Sequence, residues 1–332
     1  MRKVLILGGT GFIGLTLAKL LVQEGPPTEV VLVDNFSRGR RDAEVGAFLQ
    51  AHPECGLLEA DLSKPEGFES FEGKTYDEVY LLAAVVGVKY TQENPAAVVA
   101  INSRIVLNAL DWARKNGVGR LLFASTSEVY AGGVELGLIP VPTPETVPLV
   151  FANIRNSRFS YAASKLLGEA AVFGYAQAYG LPVMVVRFHN VYGPRMGYEH
   201  VIPELSLRAI RKEDPFRVYG IEQTRAFCFV TDAVRGLLTA MRCGKDGEIY
   251  NIGNDQEEIR IGDLAELILR FAHHSSRIQP ASPPAGSVAR RCPDLAKLRA
   301  LGYTPKTTLV DGLRITLDWY RDNQSKAAVT TL

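Results

Sequence analysis

The 332-residue chain is short of the residues that would staple or anchor it, with four cysteines, two tryptophans and five histidines. Cys55, Cys228, Cys243 and Cys292 are scattered and form no Cys-x-x-Cys pair. That pattern argues against a disulfide framework and for a reducing compartment, so a cytoplasmic location is expected. The histidines give one close pair, His273–His274, at a polar helix end, and no metal-like spacing. No metal site is expected. No apolar run nears the roughly 20 residues of a membrane span. Met1-Arg2-Lys3 is followed by only four apolar residues before Gly8, far short of a secretory leader. An excess of either charge is missing too: 37 Lys and Arg against 36 Asp and Glu leave a net +1. No global field draws the chain to nucleic acid or an anionic membrane.

What is present is ordinary for a soluble globular chain, at 47% hydrophobic and 22% charged residues. Its length suits one or two domains. Strand-like runs at 3–7, 30–33, 57–60, 78–82, 120–124 and 183–187 alternate with helical patterns near 12–24, 97–116 and 161–180. This βαβ rhythm predicts an α/β fold, a doubly wound parallel sheet covered on both faces. From about 190 the rhythm breaks into shorter elements, with helices near 203–212, 231–242, 261–272 and 309–321. The expected division is a nucleotide-binding domain at 1–188 and a smaller, mostly substrate-binding α+β region at 189–322. A flexible tail is expected at 323–332 and a flexible loop at 280–289, and no internal repeat is found.

The sharpest signal lies at the start. Val4–Leu7 run into Gly8-Gly9-Thr10-Gly11-Phe12-Ile13-Gly14, and a second apolar run ends in Asp34, 20 residues past Gly14. In Gly9-x-Gly11-x-x-Gly14 the first glycine permits the tight turn and the second lets backbone approach a pyrophosphate. The third lets the helix pack closely. The helix N-terminus adds free N–H groups and partial positive charge. Asp34 stands where a carboxylate accepts both ribose hydroxyls and repels a 2′-phosphate, so the predicted cofactor is NAD on a Rossmann-type sheet. Arg38, Arg40 and Arg41 follow closely and could accommodate NADP, but the acid favours NAD.

Two further groups carry chemistry. Tyr161-x-x-x-Lys165 puts a phenol and an ammonium on one helical face, where the cation would lower the tyrosine pKa and make it a usable base. The run ending at Ala124 is followed by Ser125-Thr126-Ser127-Glu128, with hydroxyls and a carboxylate at the carboxyl end of a central strand.

Gly8–Gly14, Asp34, Asp61-Leu62, Leu82-Ala83-Ala84, Asn102, Ser125–Tyr130, Tyr161/Lys165 and Asn190-Val-Tyr-Gly-Pro194 together resemble the extended short-chain dehydrogenase/reductases that act on nucleotide sugars. The likeness covers residues 3–320. It implies cofactor contacts at Gly8, Gly11, Phe12, Ile13, Asp34, Asn35, Asp61, Leu62, Leu82, Ala83, Ala84, Asn102, Tyr161 and Lys165. It implies substrate contacts at Lys89, Asn190, Arg195, Arg225 and Arg291. It also implies a catalytic set of Thr126, Ser127, Glu128, Tyr161 and Lys165, with Tyr161 taking the proton of a sugar C4 hydroxyl as hydride passes to NAD⁺. Thr126-Ser127-Glu128, Tyr192–Met196, Leu149–Tyr161 and Arg290-Arg291-Cys-Pro-Asp294 are similar to the UDP-glucuronic acid decarboxylases of that family. A UDP-sugar 4-epimerase and a 4,6-dehydratase remain alternatives. A non-catalytic NAD(P)-sensing protein is a further one, although such relatives lose the Tyr–Lys pair. His189, where many relatives have phenylalanine, and Met196–His200 depart from the pattern. The resemblance also implies a homodimer through the helices near 97–116 and 161–180.

Overall fold

In the computed structural model, which describes residues 1–283 and 286–323, the apolar runs become a seven-stranded sheet. The first part of the chain runs β1 (Arg2–Leu7), α1 (Phe12–Gln23), β2 (Thr28–Asp34), α2 (Ala43–Ala51), β3 (Gly56–Glu59), β4 (Tyr76–Leu81) and α3 (Val88–Glu93). It continues through α4 (Pro95–Asn116), β5 (Val118–Thr126), α5 (Ala131–Glu135), α6 (Phe159–Tyr179) and β6 (Val183–Phe188). The spatial order is Ile249–Ile252, β6, β5, β4, β1, β2, β3, and every neighbouring pair is parallel. The chain direction of the order reverses beside β1, which opens a crevice at the carboxyl ends of β1 and β4. The expected doubly wound sheet is present.

A parallel sheet must be covered on both faces, and β1 shows how the sequence does it. Val4 and Ile6 pack with Leu17 and Leu21 of α1 and with Val234 and Leu237 of the helix Val230–Cys243. Leu5 and Leu7 pack on the other face with Ile105, Leu110 and Trp112 of α4 and Val172 of α6. Alternate residues of one strand therefore feed two separate apolar layers.

The second half differs from a separate domain in one respect. Its strand Ile249–Ile252 pairs with β6 and forms the edge of the main sheet. Smaller sheets join Thr224–Ala226 to Glu258–Arg260 and Arg290–Arg291, and Phe216–Tyr219 to Ile278–Ala281. The expected flexible loop at 280–289 therefore does not include Pro280 and Ala281, and its residues 284–285 lie outside the described residues. Pro280 and Ala281 still pair with Val218 and Tyr219, at an edge where proline's missing N–H costs no ladder bond. Residues 324–332 of the expected tail lie outside the described residues. Among the described residues no helix is long and apolar enough to cross a membrane.

The glycine turn is tighter than its spacing suggests. Gly8 takes the left-handed conformation (φ +90°), and a Cβ there would lie 2.7 Å from the Ala83 nitrogen. Gly9, assigned the turn from spacing, instead clears β2, where its Cβ would sit 2.8 Å from Leu32 Cβ. A Cβ on Gly14 would collide with the Gly8 carbonyl oxygen, so the third glycine packs helix against turn.

Candidate active site

β5 ends at Thr126, whose Oγ1 accepts the Glu128 N–H at 3.2 Å and starts the short helical turn Ser127–Tyr130. This turn holds Glu128 over the strand end. α6 begins at Phe159, so its first two turns deliver Tyr161 and Lys165 to the same place. The Tyr161 phenol lies close enough to the Thr126 hydroxyl for Thr126 to pull its pKa down. Lys165 is buried, donates from Nζ to the Ala124 carbonyl at 2.7 Å and lies 4.8 Å from the Phe123 ring centre. Burial pulls its pKa down to about 7 against the raising effect of Glu169.

The tyrosine does not respond as expected. Burial first, and the Glu128 carboxylate second, push the Tyr161 pKa above its ordinary value, while Thr126 and Arg38 pull the other way. Lys165 does not offset them, because its ammonium is committed to Ala124 and stands 5.9 Å from the Tyr161 ring centre. The predicted lowering of the tyrosine pKa by Lys165 is absent from this arrangement.

Glu128 sits among guanidinium groups. Its Oε1 accepts from Arg291 Nη1 at 2.7 Å, and Arg158 Nη2 lies 3.6 Å from Oε2. Burial alone would raise the carboxyl, but Arg291 and Arg158 outweigh it and hold the pKa at about 2. Arg225 joins the cluster; burial and then Arg291 bring its pKa down to about 9. It donates to the Thr224 and Val288 carbonyls at 2.7 and 2.9 Å. Arg291 Nη2 is buried and has no hydrogen-bond partner.

The residues expected to meet the cofactor gather around the glycine turn. No side chain caps α1, which leaves the first-turn N–H groups at Phe12 and Ile13 for an anion behind Gly11. Asp34 accepts the Thr10 and Phe36 N–H groups at 3.1 and 2.9 Å. The Thr10 hydroxyl beside it is buried without a partner. An uncapped helix behind a glycine cradle, with an aspartate and an orphaned hydroxyl, fits a dinucleotide. Leu82 and Ala83 both donate to the Leu7 carbonyl, at 2.9 and 2.8 Å, which docks the strand end against the turn, with Ala84 next in line.

Other expected residues act more locally. Asn35 is engaged by Ser37, and Asp61 by Ser63, whose hydrogen bonds lower the Asp61 pKa despite partial burial. Leu62 is buried in the apolar layer. Asn102 grips both backbone groups of Val85, at 2.7 and 3.0 Å, and reaches Ser164 on α6.

On the substrate side Asn190 takes a left-handed conformation (φ +41°) and donates to the Ala226 carbonyl at 3.0 Å. Lys89 is exposed on α3. Arg195 does not join Arg225 and Arg291. It pairs with Asp42 and Glu44 at α2 and donates to the Thr10 carbonyl at 3.0 Å, beside the glycine turn.

Residues 4–253 match the model of the NAD dependent epimerase/dehydratase family. The chain belongs to that family. It is similar to a UDP-N-acetyl-alpha-D-glucosaminuronate decarboxylase of Bacillus cytotoxicus, 35% identical over 97% of this chain and 98% of that one. It is 31% identical to UDP-glucuronic acid decarboxylase 5 of Arabidopsis thaliana, over 96% and 89% of the two chains. Among solved structures, a Thermotoga maritima UDP-glucose 4-epimerase with UDP-glucose matches with a TM-score of 0.84 and 28% identity, over 97% of this chain and all of that one. A Streptomyces venezuelae dTDP-glucose 4,6-dehydratase with NAD bound matches at 0.86 and 26%, over 98% of each chain. The protein is an NAD-dependent enzyme of this family.

Two features of this epimerase/dehydratase-family enzyme were not singled out from sequence. Arg158 stands three residues before Tyr161, at the start of α6, and that proximity to the tyrosine was the available signal. Beneath the turn Ser127–Tyr130 lies a buried pair, Glu169 and Arg187, joined by two hydrogen bonds at 2.9 and 2.6 Å. Ser125 Oγ donates to the same carboxylate at 2.5 Å, and Arg187 donates on to the Tyr130 hydroxyl at 2.8 Å. Removing one partner of such a pair would strand a buried charge, so the network fixes the floor under Thr126 and Lys165.

Proposed function

We propose that the enzyme decarboxylates a UDP-linked hexuronic acid after oxidising it at C4, with UDP-glucuronate the leading substrate. The supporting observation is the partly buried Arg291 guanidinium, whose Nη1 arm is on Glu128 and whose buried Nη2 arm has no partner, near the turn that carries Thr126. A neutral hexose offers no anion for that arm, whereas a C6 carboxylate does, in the planar geometry guanidinium favours.

In this reading Tyr161 and Thr126 receive the sugar C4 hydroxyl, and the Tyr161 oxygen takes its proton. Bound NAD⁺ supplies the hydride acceptor that makes C4 a ketone, and afterwards the returning hydride. The C6 carboxylate is then β to a carbonyl. The C5–C6 bond breaks, its electron pair forms a C4–C5 double bond as the carbonyl pair moves onto the C4 oxygen, and CO₂ leaves. Thr126 and Tyr161 hydrogen-bond the developing enolate oxygen. A proton from water then adds to C5 and restores the C4 ketone, and Tyr161 returns its proton to the C4 oxygen when hydride comes back to C4. Glu128, ionised beside a second carboxylate, favours departure of that group as a neutral molecule. Ser127, buried next to it, adds a hydroxyl to the same turn. Lys165, Asp34 and the glycine turn hold the cofactor, and Asn190, Arg225 and Lys89 are read as contacts for the nucleotide sugar.

The enzyme should release CO₂ from UDP-glucuronate or its 2-acetamido analogue, with a UDP-pentose formed in equal amount, read by mass and NMR. A product of unchanged mass inverted at C4 would replace this reading with 4-epimerisation. We also propose a homodimer. α4 and α6 leave Val99, Leu107 and Leu167 exposed, a stripe suited to a second copy. Light scattering should give twice the 36.3 kDa chain mass, and a monomer would exclude it.

A further inference from the structure

Close to Glu128 the ring of His189 is buried and carries one nitrogen without a partner. Residue 189 follows β6, and its backbone N–H donates to the Ile252 carbonyl at 2.8 Å. The imidazole lies against Tyr130, with ring centres 5.7 Å apart, and its Nε2 stands 3.1 Å from Asn251 Oδ1.

The surroundings decide which nitrogen holds the proton. Asn251 Nδ2 donates to the carbonyls of Thr143 and Asp294, at 2.9 and 3.2 Å, so its Oδ1 is the acceptor end. That oxygen also receives the Tyr130 hydroxyl at 2.9 Å, and this hydroxyl is itself turned outward by the donor Arg187 Nη1 at 2.8 Å. Two acceptors cannot share a hydrogen bond, so Nε2 must be the N–H. Protonating Nδ1 as well would put a third cation beside Arg187 and Arg291. Burial and those two arginines outweigh Asn251 and Glu128 and bring the ring's pKa down to about 3. Nδ1 is thus a bare acceptor, buried and unpaired, while Arg291 Nη2 is a buried, unpaired donor. A buried acceptor without a partner favours an O–H donor placed against it.

We infer that His189, with Nε2–H committed to Asn251, offers at Nδ1 a hydrogen-bond acceptor for an O–H group. The inference rests on the reading that this cleft takes a nucleotide-linked hexuronate. The O–H group belongs either to a held water or to a hydroxyl of the sugar, and the two are separable.

The test is the ring-nitrogen NMR of ¹⁵N-histidine-labelled enzyme carrying its NAD. His189→Gln or His189→Phe assigns the signal among five histidines. An Nε2–H tautomer with Nδ1 already hydrogen-bonded before sugar is added identifies the water. Hydrogen bonding that appears with UDP-glucuronate but not with UDP identifies the sugar hydroxyl. An Nδ1–H tautomer, a charged ring at neutral pH, or a bare Nδ1 in both states overturns the inference.

Kinetics give a second reading. His189→Gln keeps a donor toward Asn251 and removes the acceptor, while His189→Asn places an oxygen near the Nδ1 position. The glutamine variant should lose about tenfold in kcat/KM at unchanged melting temperature, as for one hydrogen bond, and asparagine should recover part of it. A glutamine variant as fast as the parent counts against the role. The spectra need no CO₂ release, so this inference and the decarboxylation reading fail separately.

Discussion

Replacing Tyr161 by phenylalanine should lower turnover about a thousandfold, within the usual reach of a general base, and leave NAD bound. The substitution removes one oxygen. The ring remains against the start of α6, and neither the glycine turn nor Asp34 is touched. The lost oxygen is the one close to Thr126 at the end of β5, where on the proposed reading the C4 hydroxyl gives up its proton. Burial and Glu128 raise the pKa of that phenol, so it is protonated in the free enzyme. NADH absorbance after mixing with UDP-glucuronate reads the oxidation, and the nucleotide released on denaturation reads retention. Turnover within about tenfold of the parent would take Tyr161 out of the oxidation step.

The second large effect is expected at Arg291. Arg291→Ala should cut CO₂ release by about a hundredfold to a thousandfold, the loss typical of one charged donor in a closed site. Lysine should be intermediate, since it restores the charge without the planar fork. The variant also has a pH signature. With the folded pKa of Glu128 lowered from 4.5 to about 2, its ionised form stabilises the native state fully above pH 4.5. That stabilisation is lost as pH falls from 4.5 through about 2. Without Arg291, burial has less opposition and the folded pKa moves up. Urea denaturation of Arg291→Ala should therefore lose less stability than the parent across that window. A parallel loss in both proteins would mean that Arg291 is not what holds Glu128 ionised. CO₂ release at the parental rate would remove Arg291 from the carboxylate's site.

Much of this could be read from the sequence because it is local. Alternating apolar residues in Val4–Leu7 dictate a strand covered on two faces, and four-residue spacing dictates that Tyr161 and Lys165 share a helix face. What the sequence hid depends on contacts made at long range. Which of two adjacent glycines turns left-handed is decided by Ala83 and Leu32, not by the glycines. Arg195 is held beside the glycine turn by Asp42 and Glu44, some 150 residues earlier in the chain. Lys165 could have faced the phenol, but the Ala124 carbonyl offers its buried ammonium a closer partner. The tautomer of His189 follows from an asparagine 62 residues away, whose own orientation depends on two further carbonyls.

The strand Ile249–Ile252 carries one more consequence, for synthesis of the chain. A nascent polypeptide leaves the ribosome N-terminus first, so every other strand of the main sheet emerges before this one. Until residue 252 is out, β6 is a bare edge with its ladder groups unpaired and open to another chain. The nucleotide-binding half is thus completed by a strand from the half that would close over the substrate. A gene cut between 188 and 189 would yield not two domains but an incomplete sheet and its missing piece.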